Sequence, residues 1–235
     1  MSAERSTVVL VHGAWGGAWC WERLVPLLEQ GGLAVRTVNL PSVAAEPDPA
    51  ADLAGDAAAV RAVLDDAGGP ILLVGHSYGG MVVTEAATGH PGVSRLLYLC
   101  AFMPEQGQSL FDITGGPAPW IEAKDDGTVL PFADQAADTF FGDCDPETQR
   151  WASAQLRPMR PPPFLQAVAS AAWEKIPSTY VVCAQDRALP PELQRDLFAP
   201  RASEVVELET SHSPFFSEPE VLADLIAERA ARRGS

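Results

Sequence analysis

The chain has 235 residues, 47% of them hydrophobic and 20% charged, which suits one large domain with a real core and argues against disorder. Its 31 acidic residues outnumber 16 basic ones, and the formal charge of −15 argues against nucleic acid, whose phosphates need Lys and Arg. No apolar run nears the roughly 20 residues that cross a bilayer, and MSAERSTVVLVHG lacks a charged-then-apolar leader. A cytoplasmic protein with no membrane partner is expected.

Thr7 to Val11 is a short β-branched run that reads as a first strand. Past a loop rich in Gly and Trp, Trp21 to Gln30 reads as a helix stopped by Gly31-Gly32. Ala34 to Leu40 gives a second strand. The next helix takes Asp48 as its cap, Pro49 in its first turn and Gly68-Gly69 as its stop. Within it Leu53, Ala57, Val60, Leu64 and Ala67 recur at spacings of four and three, forming one apolar stripe. Ile71 to Val74 is a third strand, Gly80 to Thr88 a helix, and Val93 to Cys100 a fourth strand. Uniformly apolar strands alternating with helices predict a parallel sheet covered on both faces.

The alternation stops at Met103-Pro104. From there to about Trp173 the chain reads as irregular, rich in aromatics and carrying Pro161-Pro162-Pro163. It resumes with a strand at Ser178 to Ala184, a helix from Pro191 and a strand at Glu204 to Leu208. The last helix, from Pro219, sets Val221, Leu222, Leu225 and Ile226 on one side. Arg229, Arg232 and Arg233 occupy its final turns, where the helix dipole favours cations. The expectation is one α/β domain of about six mainly parallel strands. Residues 1–103 and 176–235 form its core, and 104–175 an insertion over it.

Chemistry concentrates at ILLVGHSYGG. Gly75-x-Ser77-x-Gly79 between a strand and a helix is the nucleophile-elbow pattern, in which side chains at the glycine positions would collide with neighbouring elements. The bland alternative is a glycine-rich turn holding an idle serine. A serine hydroxyl needs a base. His90 ends a helix beside Pro91 and reads as a surface residue, which leaves His212 in the loop after the last strand. Asp186, just past the strand ending Val181-Val182-Cys183-Ala184, is favoured as the acid that orients His212, with Glu105 as the rival. One oxyanion donor is the Tyr78 amide, and the other comes from the loop His12-Gly13-Ala14-Trp15-Gly16-Gly17. That loop matches neither nucleotide-binding glycine pattern. Cys20, Cys100, Cys144 and Cys183 are widely spaced and read as reduced thiols; they and the scattered histidines suggest no metal site.

With these motifs in place the sequence resembles the α/β-hydrolase superfamily. More narrowly it resembles the small-ester branch of plant methylesterases, the salicylate-binding esterase and the hydroxynitrile lyases. The likeness rests on VLVHGAWGGAWCWERLVPLL, GHSYGGMV and VVCAQDRALPPELQRD, and in the insertion on FFGDCDP and LRPMRPPPF. It implies a Ser77–His212–Asp186 triad, oxyanion amides from Ala14 and Tyr78, and a cap over an apolar pocket with Trp120, Phe140 and Trp151 as substrate contacts. The cyanohydrin-cleaving members carry Thr where Gly13 stands and Lys directly after the histidine; here Ser213 occupies that second place and disfavours lyase chemistry. The esterase members often have Met at that place. Gly13 and Ser213 therefore count among the candidate substrate-facing positions.

The expected activity is hydrolysis of a small, largely apolar carboxylic ester, a methyl ester among the candidates, through an acyl-enzyme and without a cofactor. A lactone hydrolase, a cyclising thioesterase-like enzyme, or a ligand-binding protein with little turnover are the alternatives. The expected partner is the small-molecule ester, with a homodimer left open.

Overall fold

The computed structural model describes residues 6–48 and 50–232. Strand β1 (Thr7–Val11) is buried along its whole length. A 3-10 turn at Ala18–Trp21 and helix α1 (Leu24–Gln30) replace the single helix expected over 21–30. Pro26 explains the break. It has no N–H for an α-helix begun at Trp21, but its place in the first turn of a helix begun at Leu24 costs nothing.

After β2 (Ala34–Val38), helix α2 (Leu53–Asp65) starts later than expected. Its cap is Asp52, whose carboxylate accepts the Gly55 amide at 2.8 Å. Asp48 instead accepts the Ala50 amide and closes a local turn; Pro49 lies outside the described residues. The stripe residues Leu53, Ala57, Val60 and Leu64 are buried as expected, but Ala67 lies beyond the helix and is half-buried. Strand β3 (Ile71–His76), helix α3 (Gly79–Ala86) and strand β4 (Val93–Leu99) complete the first half.

Residues 104–175 hold more regular structure than their composition suggests. They contain α4 (Leu110–Thr114), an antiparallel ribbon of β5 (Ile121–Ala123) and β6 (Val129–Pro131), α5 (Ala136–Phe140), α6 (Pro146–Gln155) and α7 (Pro162–Leu165). Nearly all are too short for a hydrophobic period to show. Local caps start two of them: the Ser109–Asp112 capping box at α4, and Asp145 followed by Pro146 at α6. A bridge between Val43 and Met159 ties this segment to the loop after β2.

The chain returns through β7 (Ser178–Cys183), α8 (Pro191–Leu193) with π and 3-10 turns running on to Arg201, β8 (Glu204–Leu208), α9 (Pro214–Ser217) and α10 (Pro219–Ala231). On α10, Leu222, Leu225 and Ile226 are buried with Arg229, but Val221 is 46% exposed, against expectation. It lies one residue, about 100° of helix, away from the face that Leu222, Ile226 and Arg229 share. Arg233 lies outside the described residues.

The six main strands are all parallel, in the order β2-β1-β3-β4-β7-β8. β1, β3 and β7 are buried throughout, whereas the edge strand β8 alternates between half-buried and exposed residues. From β1 the chain turns outward to β2, then returns past β1 to β3. The crevice beyond the carboxyl ends of β1 and β3 is therefore the topological switch point where open α/β sheets bind ligands. His12-Gly13 and Ser77 both emerge there.

Candidate active site

Ser77 sits in the turn from β3 to α3 with φ +54°, a left-handed conformation that side-chain-bearing residues rarely adopt. Such strain costs of order 1–3 kcal/mol and survives because its surroundings over-determine it. The Ser77 amide donates to Leu99 O at 3.3 Å, and its carbonyl accepts the Gly80 and Phe102 amides at 3.0 and 3.1 Å. A Cβ on Gly75 would stand 2.7 Å from Val83 Cγ2, and one on Gly79 would stand 2.7 Å from the Val11 and His12 carbonyl oxygens. Both glycines are required by close approach, as the elbow pattern predicts.

His212, 1% exposed, directs Nδ1 at Asp186 Oδ2 across 2.6 Å. Asp186 is also buried, and its other oxygen accepts the Ala188 and Leu189 amides at 2.8 and 2.9 Å. Gln194 Nε2 adds a bond to Asp186 Oδ2 at 3.0 Å. An ionised carboxylate only accepts, so the His212 proton sits on Nδ1 and the lone pair on Nε2. That Nε2 is buried without a hydrogen-bond partner among the described residues, in a cavity whose wall includes Ser77. The rival acid Glu105 is exposed and pairs with Arg201 at 2.8 Å, away from the histidine. Arg187 pairs with Asp138 at 3.3 Å on the surface rather than with Asp186. His90 was expected at the surface, but its side chain is largely covered and meets Asp65 at 3.2 Å.

The histidine loop is held from two sides. Its carbonyl at His212 accepts His76 Nε2 at 2.8 Å and the Cys100 thiol at 3.4 Å. From the inserted segment, Asp143 accepts the Ser211 amide at 2.9 Å and the Ser211 hydroxyl. His76, Cys100 and His212 bring potential metal-ligand atoms within 4.8 Å of one another. The bonds just named, with the one to Asp186, already account for that clustering.

Tyr78 fills the other side of the elbow. Its hydroxyl donates to Asp56 Oδ2 at 2.7 Å, and the fully buried Asp56 also accepts the Ser42 amide at 2.9 Å and its hydroxyl at 2.5 Å. Burial raises the Asp56 carboxyl pKa and pushes the Tyr78 phenol well up. Sequence reading missed Asp56, although a lone acid between Leu53 and Ala57 on an apolar stripe was a signal. It also missed Asp143 and Gln194, whose partners lie 68 and 8 positions away.

Two cavities meet at Ser77. The larger, about 600 Å³, is bounded by Ala14 and Tyr78 and by apolar side chains of the inserted segment, Trp120, Phe140 and Phe164 among them. Arg187, at its wall, is the only charged lining residue among the described residues. The smaller, about 20 Å³, is bounded by Gly13, Ala14, His76, His212 and Ser213 and also by Phe140. Trp151 borders neither cavity. It packs edge-on against Trp19 and Phe216 and faces a groove with Arg23 and Glu147. On α6 the fully buried positions are Thr148 and Ala152, and Trp151 is half-buried. Trp15, at φ +60° with its indole N–H bonded to Val129 O at 2.9 Å, takes the wall position that Trp151 was expected to hold.

Burial lowers the His12 pKa to about 4, and His12 Nε2 accepts the Leu40 amide at 3.1 Å. Its folded pKa therefore lies below the ordinary 6.5. Between those values the unfolded chain holds a proton that the native state does not. The His12 contribution is complete above pH 6.5 and declines as pH falls toward 4, by at most about 1.4 kcal/mol per pH unit. Urea denaturation at pH 7.5 and 5.0 should show this loss in the wild type and a smaller one in His12→Asn.

Among the described residues no helix is long and apolar enough to cross a membrane. Comparison with known proteins agrees with the architecture. The chain is 29% identical over 261 residues to methylesterase 1 of Arabidopsis thaliana, covering 92% of each chain. It is 28% identical over 256 residues to norfluorocurarine synthase 2 of Strychnos sp, covering 96% of this chain and 95% of that one. The solved structure of a pyrethroid hydrolase from Sphingobium faniae superposes with a TM-score of 0.81 at 27% identity, over 96% of this chain and 97% of that one. Residues 8–225 match the model of the alpha/beta hydrolase family, and the chain belongs to that family.

Proposed function

We propose that the protein is a serine carboxylic-ester hydrolase acting on esters of a bulky apolar acid with a small alcohol. The observation that carries this reading is the orphaned, lone-pair-bearing Nε2 of His212 in the cavity it shares with Ser77. His212 takes the Ser77 proton as Oγ attacks the ester carbonyl, and Asp186 stabilises the imidazolium. The Ala14 and Tyr78 amides, at the wall beside Ser77, stabilise the tetrahedral oxyanion. His212 then protonates the leaving alkoxide, and water clears the acyl-enzyme by the same route.

The two cavities divide the substrate. A volume of about 600 Å³ under the inserted segment, which serves as the cap, is in the range that holds drug-sized apolar groups and suits the acyl part. The leaving oxygen must face His212, where only about 20 Å³ is free, so a methoxy-sized alcohol is favoured. Among the described residues the smaller cavity has no Lys or Arg in its wall, which leaves cyanide without a cation and counts against the lyase reading. Relatives named as a methylesterase and a pyrethroid hydrolase support hydrolysis.

The test is fluorophosphonate labelling of Ser77, mapped by peptide mass, together with hydrolysis of methyl, ethyl and butyl esters of one bulky acid. Labelling with a rate that falls along the series is expected; an unlabelled, inactive protein would sink the reading. Asp143→Ala frees the Ser211 end of the histidine loop and should lower kcat by about tenfold with KM little changed, as read by steady-state ester kinetics.

A further inference from the structure

The smaller cavity has a polar wall that acylation leaves unused. His76, between Gly75 and Ser77, is 6% exposed, and its Nε2 lies 2.8 Å from the His212 carbonyl oxygen. A carbonyl accepts and never donates, so Nε2 carries the ring proton and Nδ1 a lone pair. Burial, with His212 adjacent, holds the His76 pKa well below its ordinary value, and the ring is neutral. Nδ1 is buried and has no hydrogen-bond partner among the described residues.

His76, Ser77 and Gly13 all border the smaller cavity. A Cβ on Gly13 would stand 3.1 Å from His76 Nδ1 and 2.8 Å from Ser77 Cβ, so both atoms approach Gly13 too closely for a side chain there. His212 Nε2, also without a partner, borders the same cavity, and the two imidazole centroids are 4.6 Å apart. About 20 Å³ is room for one water molecule, and two acceptors match the two hydrogens of one water.

We propose that this cavity is the site of the hydrolytic water and that His76 positions it for deacylation. The proposal rests on the serine-hydrolase reading above. In the acyl-enzyme one O–H of the water donates to His212 Nε2 and the other to His76 Nδ1, which turns an oxygen lone pair toward the acyl carbon. As the new C–O bond forms, the first proton passes to His212. The tetrahedral intermediate then collapses, the bond from carbon to Ser77 Oγ breaks, and His212 returns the proton to Oγ as the carboxylic acid departs. His76 gains and loses no proton.

Two substitutions separate the ring's nitrogens. His76→Gln puts an amide N–H near the place of Nε2 and keeps the bond to the His212 carbonyl, but offers no acceptor at Nδ1. His76→Asn puts an amide oxygen near Nδ1 and loses that bond. Rapid-quench hydrolysis of the methyl ester of a bulky apolar acid, with detection of released methanol and of the acyl-enzyme by intact mass, reads acylation and deacylation separately.

For His76→Gln, acylation should stay within about twofold of wild type while deacylation falls at least about tenfold, giving a burst and an accumulated acyl-enzyme. His76→Asn should deacylate faster than His76→Gln. Unchanged deacylation in His76→Gln, or an equal fall in both steps, overturns the proposal. A wild type that neither turns over nor takes the fluorophosphonate refutes the hydrolase reading instead.

If His76→Gln does not fold, the wild-type acyl-enzyme is challenged with methanol and 1-propanol. Trapping by methanol at least about tenfold above propanol is the expected result, since the cavity admits little more than a water. Equal trapping overturns the assignment.

Discussion

Ser77→Ala should leave no more than about one-thousandth of the wild-type kcat on the methyl ester of a bulky apolar acid, with KM nearly unchanged. Removing Oγ removes the proposed nucleophile, so on the proposed mechanism no acyl-enzyme forms. The amides of Ala14 and Tyr78 and the walls of the large cavity remain, which preserves substrate binding and a small residual rate. The fold should tolerate the change. The φ of +54° is imposed by contacts at Gly75, Gly79 and Phe102, and Ala presents the same Cβ to them. A thermal midpoint within a few degrees of wild type would show that the loss is chemical. Retention of a tenth or more of the activity would mean that Ser77 is not the nucleophile.

Asp186→Asn should cost about 10³- to 10⁴-fold in kcat, although it changes the size of the side chain hardly at all. Oδ1 accepts two backbone amides, from Ala188 and Leu189, and an Asn oxygen must stay there. The Asn amide nitrogen then replaces Oδ2 and faces two donors, His212 Nδ1 and Gln194 Nε2. His212 can satisfy a donor at that distance only by moving its proton to Nε2, where the base is needed. Nitrogen NMR of the imidazole should report that tautomer change alongside the kinetics. Glu105→Gln, by contrast, should leave kcat within about twofold, because its carboxylate serves a surface pair with Arg201. The opposite ranking of these two variants would reassign the acid.

The elbow was legible because its glycines answer to backbone sterics that act within a few residues, and those sterics hold wherever a strand meets a helix so closely. The sheet was legible because fully buried parallel strands carry no polar alternation. Boundaries were less so. Asp48 and Asp52 are both good caps, and only the start of the apolar stripe at Leu53 separates them. The inserted segment was the least legible, since a five-residue helix such as α5 has no period from which to read a buried face. Its aromatics could be named as pocket candidates but not sorted, and Trp120 and Phe140 reach the cavity where Trp151 does not.

By itself, then, the sequence determined the α/β architecture and the position of the strained serine. These follow from local sterics and from hydrophobic period, which short stretches encode. Only the tertiary structure decided which carboxylate meets His212, that Asp143 and His76 hold its loop, that Tyr78 rests on a buried Asp56, and that Ser77 divides a large apolar cavity from one the size of a water. Most of those contacts join residues separated by tens of positions in the chain, and their geometry depends on how the inserted segment settles over the sheet.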